Sequence, residues 1–282
     1  MSKVKKNNLV VPFVKWAGGK RQLLPEILTR IPKSKITAYY EPFIGGGALL
    51  FHLQPKKAVI NDFNSDLINA YKIIANEVDS LIADLSKHQN NAEYYYKIRE
   101  LDRDAEKFNF LSDVEKASRL IYLNKTCYNG LFRVNSAGEF NSPFGSYKSP
   151  NIVNETTLRA INDYFNSSDI QFEIGDFEEA LKGIKKDSFV YFDPPYDPVS
   201  TSSNFTGYTN LGFDKEEQIR LKNACDVLNK KGVKFLLSNS ATDFIKDLYK
   251  DYIIDIIPAK RIINSNATLR GDIEEVLIRN YE

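Results

Sequence analysis

The segment AspProProTyr at 193–196 carries the residue types most specific for chemistry in this 282-residue sequence. A residue that precedes proline is restricted to extended backbone, so Asp193 and Pro194 are both held extended. The two prolines also remove two backbone donors. The segment therefore presents two acceptors, the Asp193 carboxylate and the Pro194 carbonyl, beside the aromatic ring of Tyr196.

Two neighbouring acceptors suit an amino group such as the exocyclic amine of adenine. That amine is a poor nucleophile because its lone pair is delocalised into the ring. Acceptors that bind both of its hydrogens favour a pyramidal nitrogen, whose lone pair can point at a methyl donor. Tyr196 can stack on the base, which must leave a duplex to reach such a site. In isolation, the same four residues can also be a turn.

A glycine-rich segment at 41–51 is the second candidate. It follows a predicted strand and opens a predicted helix, and the glycines at 45–47 allow a sharp turn with room for a ligand. The carboxyl end of a first strand is the usual place for a nucleotide-like ligand in a doubly wound sheet. The segment departs from the GxGxxG pattern because position 50 is Leu. Our cofactor-binding candidates here are Glu41, Phe43 and Gly45.

Acidic residues follow the next two predicted strands. Asp62 lies fifteen residues after Gly47 and can accept hydrogen bonds from both hydroxyls of a ribose, or can cap the following helix. Asp176 can accept a hydrogen bond from the amine of a cofactor's adenine, and Phe177 can pack on that ring. A helix cap at Asp176 and a core position for Phe177 are equally compatible with the sequence.

Other chemistries fit the sequence poorly. Methylation at cytosine C5 uses a cysteine that normally follows proline, and neither Cys127 nor Cys225 does. His52 and His88 are isolated and no Cys/His cluster occurs, so we expect no metal site. Two cysteines make no disulfide framework, and reduced thiols in the cytoplasm are expected.

Alternating strands and helices must position these residues. Their pattern predicts an α/β fold with a largely parallel sheet, in which the last two strands form an antiparallel pair. The strand predictions are 37–40, 58–61, 170–174, 188–192, 234–238, 252–257 and 275–279, and the helix predictions are about 20–30, 46–53, 64–76, 154–165, 214–230 and 241–249.

The alternation is interrupted between the second and third predicted strands. Residues 112–123 have helical spacing, and residues 124–150, called the recognition loop below, are polar and rich in Gly and Asn. We therefore predict a helical insertion at 66–160 within a main domain formed by 1–65 and 161–282.

Positive charge is concentrated in two places although the formal net charge is only +1. Residues 1–35 contain nine Lys or Arg and one acidic residue. Residues 119–149 contain four Lys or Arg and one acidic residue. Such local fields can bind phosphates, although lysine-rich stretches are more often plain solvated surface. No apolar run reaches the roughly 18 residues of a membrane span, and the basic start has too short an apolar stretch for a secretory signal.

Several segments, in their order, resemble the Dam-type DNA adenine methyltransferases, in the branch that includes GATC modification enzymes of restriction systems. TrpAlaGlyGlyLys near the start, followed by AspProProTyr past the middle, is a specific combination. The matching segments are 13–24, 39–49, 61–64, 128–135, 139–145 and 191–196.

The resemblance implies a Rossmann-like sheet that binds S-adenosylmethionine, with an inserted helical DNA-recognition domain, in a bacterial cytoplasmic enzyme. It also implies that Trp16 and Lys20 help to hold S-adenosylmethionine, together with Asp62 and Asp193. Trp16 can supply a stacking face, and Lys20 can pair with the cofactor's carboxylate. A surface position at a helix start is the alternative for Lys20.

The resemblance places recognition of double-stranded DNA in the recognition loop. Arg133 matches the residue that reads a guanine, for which an Arg fork is suited. Leu131 matches a residue that wedges into the base stack. Tyr128 and Asn129 match residues at the opened base pair, and Pro143 matches one that contacts the site. Local packing is the alternative for the apolar members, and GATC itself follows from the resemblance alone.

Two other functions stay open. The same fold can methylate RNA adenine or a protein side-chain amide, although the loop with Arg133 favours duplex DNA. A DNA-binding protein without catalysis would have a damaged AspProProTyr or glycine segment, and both are intact.

Segment 199–212 is interpreted as a flap over an extruded base or as a surface loop. The sequence makes no prediction of oligomeric state.

Overall fold

A seven-stranded sheet with the order β3-β2-β1-β4-β5-β7-β6 forms the centre of the computed structural model. The model describes residues 6–16, 18, 20, 22–199, 212–260 and 272–282, so nearly all of the proposed flap at 199–212 lies outside the described residues. The strands are β1 (Tyr39–Glu41), β2 (Lys57–Asp62), β3 (Asp169–Ile174), β4 (Phe189–Phe192), β5 (Lys234–Ser240), β6 (Ile253–Lys260) and β7 (Asp272–Arg279).

The strand predictions are confirmed, as is the antiparallel pairing of the last two strands. Strands β1 to β5 pair in parallel, whereas β7 runs antiparallel to both β5 and β6. Every residue of β1 and β4 is buried. Strands covered on both faces carry continuous apolar runs rather than an alternating pattern, which explains sequences such as PheValTyrPhe in β4.

Helices cover the two faces of this sheet. They are α1 (Leu24–Thr29), α2 (Ala48–Leu53), α3 (Ser65–Asn76), α4 (Val78–Leu85), α5 (Ala92–Arg99), α6 (Ala105–Phe110), α7 (Asp113–Thr126), α8 (Glu155–Asn166), α9 (Phe177–Ala180), α10 (Lys215–Lys230) and α11 (Asp243–Leu248). Short 3-10 turns occupy Glu100–Arg103 and Tyr128–Gly130. None of the described helices is long and apolar enough to cross a membrane.

One helix boundary differs from the predictions, and one short helix was not predicted. The helix expected from about residue 20 begins only at Leu24, with Pro25 in its first turn, where proline needs no hydrogen-bond donor. Gly18 has a φ of 74°, which is incompatible with a right-handed helix. Helix α9 was not predicted because four residues are too few to show a helical period.

Helices α3 to α8 lie between β2 and β3, in the part of the chain where the insertion is predicted. Helix α7 begins with a capping box formed by Ser112 and Glu115, and it packs on α3 and α4. Its buried side chains belong to the same core cluster as residues of β1 and β2, so the insertion packs directly on the sheet domain. The boundaries at 66 and 160 stay predictions.

His88 lies in a partly buried polar cluster inside the insertion. Its ring stacks on Tyr122 with centroids 4.3 Å apart. The ring nitrogens contact the Tyr94 hydroxyl at 2.9 Å and the Ser118 hydroxyl at 3.0 Å. Burial lowers the pKa of His88 from its ordinary 6.5 to about 4. The ring is therefore neutral in the folded protein at neutral pH.

Acid should destabilise the protein through His88. Its pKa is lower in the folded state, so its stabilising contribution is complete above pH 6.5 and is lost as the pH falls toward 4. We expect the unfolding free energy of His88→Gln to depend less steeply on pH between 6.5 and 4 than that of wild type. The difference over this range should be at most about 3 kcal/mol, because the ring is partly exposed. The control is His52→Gln at an exposed position, where burial lowers the pKa less than at His88 and the change in slope should be smaller. Equal slopes for wild type and His88→Gln in urea titrations would contradict this role.

Candidate active site

The carboxyl ends of the parallel strands bring the predicted site residues to one edge of the sheet. Glu41 ends β1, Asp62 ends β2, and Asp193 follows β4. The N-terminal segment reaches the same edge, because Lys20 contacts Asp193. The structure thus assembles side chains that are up to 173 positions apart in the sequence (Lys20 to Asp193).

Asp193 is held by two polar side chains. Its Oδ1 lies 2.6 Å from the Lys20 ammonium and accepts a hydrogen bond of 3.0 Å from the Ser238 hydroxyl. Burial raises the pKa of Asp193, and the charge of Lys20 and these hydrogen bonds oppose that rise. Lys20 therefore stabilises the negative form of a partly buried carboxylate.

Tyr196 is fixed at both its hydroxyl and its ring. The hydroxyl donates to Glu275 Oε2 at 2.7 Å, and the Lys20 ammonium lies 4.4 Å from the ring centroid. Burial raises the pKa of Tyr196 well above its ordinary value. The phenol therefore remains a donor and the ring keeps one orientation.

The side of the AspProProTyr segment that faces the protein is anchored by buried amides. Gln218 on α10 donates to the Pro195 carbonyl at 2.9 Å and accepts from Asn239 at 3.0 Å. Asn239 also accepts from the Asp197 backbone amide at 3.0 Å. Within the described ranges, no donor reaches the Pro194 carbonyl. The predicted acceptor pair of Asp193 and Pro194 is therefore compatible with the hydrogen bonding of this segment.

The glycine segment packs against Trp16. Gly45 has a φ of 47°, and a Cβ added there would lie 2.9 Å from Trp16 Cδ1. The Gly45 amide donates to Asp62 Oδ2 at 2.9 Å, and its carbonyl accepts from Tyr71 at 2.9 Å. Glycine is needed at position 45 both for this conformation and for the close approach of the indole.

Asp62 does not cap α3, since Asn64 does so by accepting a hydrogen bond from the Leu67 amide. The Asp62 carboxylate instead accepts from the backbone amides of Gly45 and Asn64, both at 2.9 Å. Burial raises the pKa of Asp62, and these amides oppose the rise. Each carboxylate oxygen retains a further lone pair, so ribose binding stays a prediction.

Asp176 and Phe177 have structural partners. Asp176 caps α9 by accepting from the Glu178 amide at 2.9 Å, and it forms an ion pair with Arg220. Phe177 is buried and packs against Phe43, with ring centroids 5.5 Å apart. Asp176 is thus a helix cap and Phe177 a core side chain in this structure. The adenine contacts proposed for them stay predictions.

Glu41 is buried at the end of β1. It accepts a hydrogen bond of 2.7 Å from the Tyr39 hydroxyl, and burial raises its pKa well above the ordinary value. The side-chain contact of Glu41 is thus with Tyr39 of the same strand. Cofactor binding by Glu41 stays a prediction.

The recognition loop presents several of its predicted residues to solvent. Tyr128 is 59% exposed, and Asn129 and Pro143 are exposed as well. The Tyr128 amide donates to the Pro143 carbonyl at 2.8 Å, which brings the two matched segments together. Leu131 and Arg133 are half-buried. Local packing therefore does not account for Tyr128.

A family model described as D12 class N6 adenine-specific DNA methyltransferase matches residues 16–264. The chain belongs to this family. It is 46% identical over 284 residues to the Type II methyltransferase M1.LlaDCHI of Lactococcus lactis subsp. cremoris, covering 100% of this chain and 99% of the relative. It is 43% identical to the Type II methyltransferase M.MjaIII of Methanocaldococcus jannaschii, covering 96% and 99%. It is 33% identical to the DNA adenine methylase of Escherichia coli (strain K12), covering 94% and 93%.

Several residues at the candidate site were not predicted from the sequence. Gln218 and Asn239 gave a weak signal, since polar residues interrupt otherwise apolar elements. Phe63 follows Asp62 and is 55% exposed, and Ile174, which pairs with Asp62 across β2 and β3, is 48% exposed. Exposed apolar side chains at a ligand-binding edge are suited to contact an aromatic ring.

Removing the Gln218 amide should loosen the candidate site around the AspProProTyr segment. Gln218→Leu leaves the Pro195 carbonyl and the Asn239 amide without this partner, so the unfolding free energy should fall by about 1–3 kcal/mol. The kcat should fall as well, because the AspProProTyr segment loses an anchor. Gln171→Leu on the exposed edge strand is the matched control. An unchanged urea midpoint and kcat for Gln218→Leu would show that this anchor is unimportant.

Proposed function

We propose that this DNA adenine methyltransferase transfers the methyl group of S-adenosylmethionine to N6 of an adenine extruded from duplex DNA, within GATC. We further propose that it is the modification enzyme of a restriction-modification system. The observation that carries the proposal is the partly buried Asp193 carboxylate, which Lys20 keeps negative beside Tyr196 and at the same sheet edge as the glycine segment.

The residues at this edge fit S-adenosylmethionine. Asp62 offers free lone pairs for ribose hydroxyls, and the exposed side chains of Phe63 and Ile174 offer apolar surface for the adenine. Trp16 closes one side of the glycine segment. Lys20 is the nearby cation that would pair with the cofactor's carboxylate, and its ammonium lies 2.6 Å from Asp193.

The chain's own residues orient the amine and stabilise its developing charge. S-adenosylmethionine, when bound, supplies a methyl group on a positively charged sulfur. We propose that the Asp193 carboxylate and the Pro194 carbonyl accept the two N6 hydrogens, so that positive charge developing on nitrogen lies beside a negative group. Tyr196 offers its ring to the base while Glu275 holds its hydroxyl.

Recognition of GATC is proposed for the recognition loop, with Arg133 reading a guanine. Asn141 accepts a hydrogen bond of 2.6 Å from Arg133 Nε, which fixes the direction of the guanidinium. Tyr128 and Asn129 are exposed in the same loop and suit the opened base pair, and Leu131 and Pro143 suit the neighbouring stack. The relatives named Type II methyltransferase support the restriction-modification role.

The test is methyl transfer from labelled S-adenosylmethionine to duplexes that contain GATC or a scrambled site, followed by nucleoside analysis. We expect N6-methyladenine in the GATC duplex alone. Transfer to single-stranded RNA or to protein instead would overturn the proposal, and equal transfer to both duplexes would overturn the GATC assignment.

Asp193→Ala should lower kcat by about 100-fold or more, because it removes the charge that faces the amine. Ser238→Ala is the matched control, since it removes one hydrogen bond to Asp193 and leaves the charge in place. We expect a smaller loss for the control and folded circular-dichroism spectra for both variants. Turnover near that of wild type for Asp193→Ala would remove the proposed role.

Arg133→Ala should cost roughly 1–3 kcal/mol of discrimination at one base pair. Arg133→Lys separates base reading from phosphate binding, because lysine keeps the charge and loses the fork. We expect both variants to lose discrimination when kcat/KM is measured on duplexes with single substitutions in the site. Retained discrimination in Arg133→Lys would reassign Arg133 to phosphate contact.

A further inference from the structure

Asn124, in the last turn of α7, joins the N-terminal segment to the recognition loop. Its side chain is fully buried. Its Oδ1 accepts from the Lys15 amide at 2.8 Å, and its Nδ2 donates to the Lys15 carbonyl at 2.7 Å and to the Gly130 carbonyl at 3.3 Å. The Asn124 amide therefore binds the backbone N–H and carbonyl of Lys15, which precedes Trp16, and also the carbonyl of Gly130, which follows Asn129.

An aromatic stack forms a second connection between the same segments. The Trp16 and Phe132 rings are 4.7 Å apart with an interplanar angle of 23°. Trp16 also packs against Gly45, and Arg133 directly follows Phe132. A continuous set of contacts thus runs from the glycine segment to the residue proposed to read guanine.

Gly130 of the recognition loop lies close against Lys15. Its φ is 64°, and a Cβ added there would lie 2.5 Å from Lys15 Cδ. The backbone of the recognition loop at Gly130 therefore packs directly against the Lys15 side chain of the N-terminal segment.

We propose that Asn124 is a positioning residue that couples cofactor binding to recognition of the DNA site, with Phe132 as the second element of the link. This inference rests on the proposed function. A ligand that fixes Trp16 on the glycine segment also fixes Lys15, and through Asn124 and Phe132 it fixes the backbone that carries Asn129 and Arg133. Ordering this backbone in advance reduces the cost of DNA binding, so each ligand strengthens the binding of the other.

The experiment measures the affinity of the full chain for a GATC duplex with and without saturating S-adenosylhomocysteine, which has no methyl group to transfer. The ratio of the two dissociation constants is the coupling factor. For wild type we expect a factor of about ten, and the same factor must appear in the affinity for S-adenosylhomocysteine with and without the duplex. Trp16 is the single tryptophan of the chain, so its fluorescence reports the second titration.

Asn124→Asp keeps an acceptor for the Lys15 amide and loses both donated hydrogen bonds. We expect its coupling factor to fall to about one to two, with little change in affinity for a scrambled duplex. Asn162→Asp is the matched control, because Asn162 also donates to two backbone carbonyls, those of Ile74 and Ala75, outside the link. This control should keep the wild-type factor. Phe132→Leu tests the stack separately, and it decides the question if Asn124→Asp does not fold.

The outcomes separate this inference from the proposed function. A wild-type enzyme that methylates GATC but shows a coupling factor of one overturns the inference alone. An undiminished factor in Asn124→Asp, or an equal loss in Asn162→Asp, also overturns it. If Asn124→Asp does not fold, an undiminished coupling factor in Phe132→Leu overturns the inference instead. Failure of the wild-type chain to bind or methylate duplex DNA overturns the proposed function itself.

Discussion

The ion pair between Lys20 and Asp193 is the interaction on which the site depends. A buried carboxylate becomes neutral unless a cation or hydrogen-bond donors stabilise its charge, and Lys20 supplies the cation at 2.6 Å. The same ammonium lies over the Tyr196 ring. One side chain from the N-terminal segment therefore sets the charge of the proposed amine acceptor and contacts the aromatic ring beside it, so the segment must be held firmly in place.

The architecture supplies that restraint from two sides. Parallel strands bring Asp62 and Asp193 to a common edge, and the insertion between β2 and β3 places α7 against the N-terminal segment. Asn124 then binds the Lys15 backbone, and Phe132 stacks on Trp16. The insertion thus presents the proposed DNA-reading residues and also supports the cofactor side of the site, which gives a physical reason for its direct packing on the sheet.

Sequence reasoning found the residues whose position follows from local pattern. Asp62 ends and Asp193 directly follows a strand with a clear apolar run, and AspProProTyr restricts its own backbone. It did not find Gln218 or the role of Asn124, because their partners are set by tertiary packing; Asn124 and Lys15 are 109 positions apart. It also left Asp176 undecided between a ligand contact and a helix cap, since both need the same carboxylate, and the structure places it as the cap of α9.

The most direct test of the account is a structure of the enzyme with S-adenosylhomocysteine and a GATC duplex. The account predicts an extruded adenine whose N6 lies within hydrogen-bond distance, about 2.7–3.2 Å, of both the Asp193 carboxylate and the Pro194 carbonyl. The adenine should lie against the Tyr196 ring. An adenine bound with N6 directed away from Asp193, or one that remains stacked in the duplex in a catalytically competent complex, would contradict it.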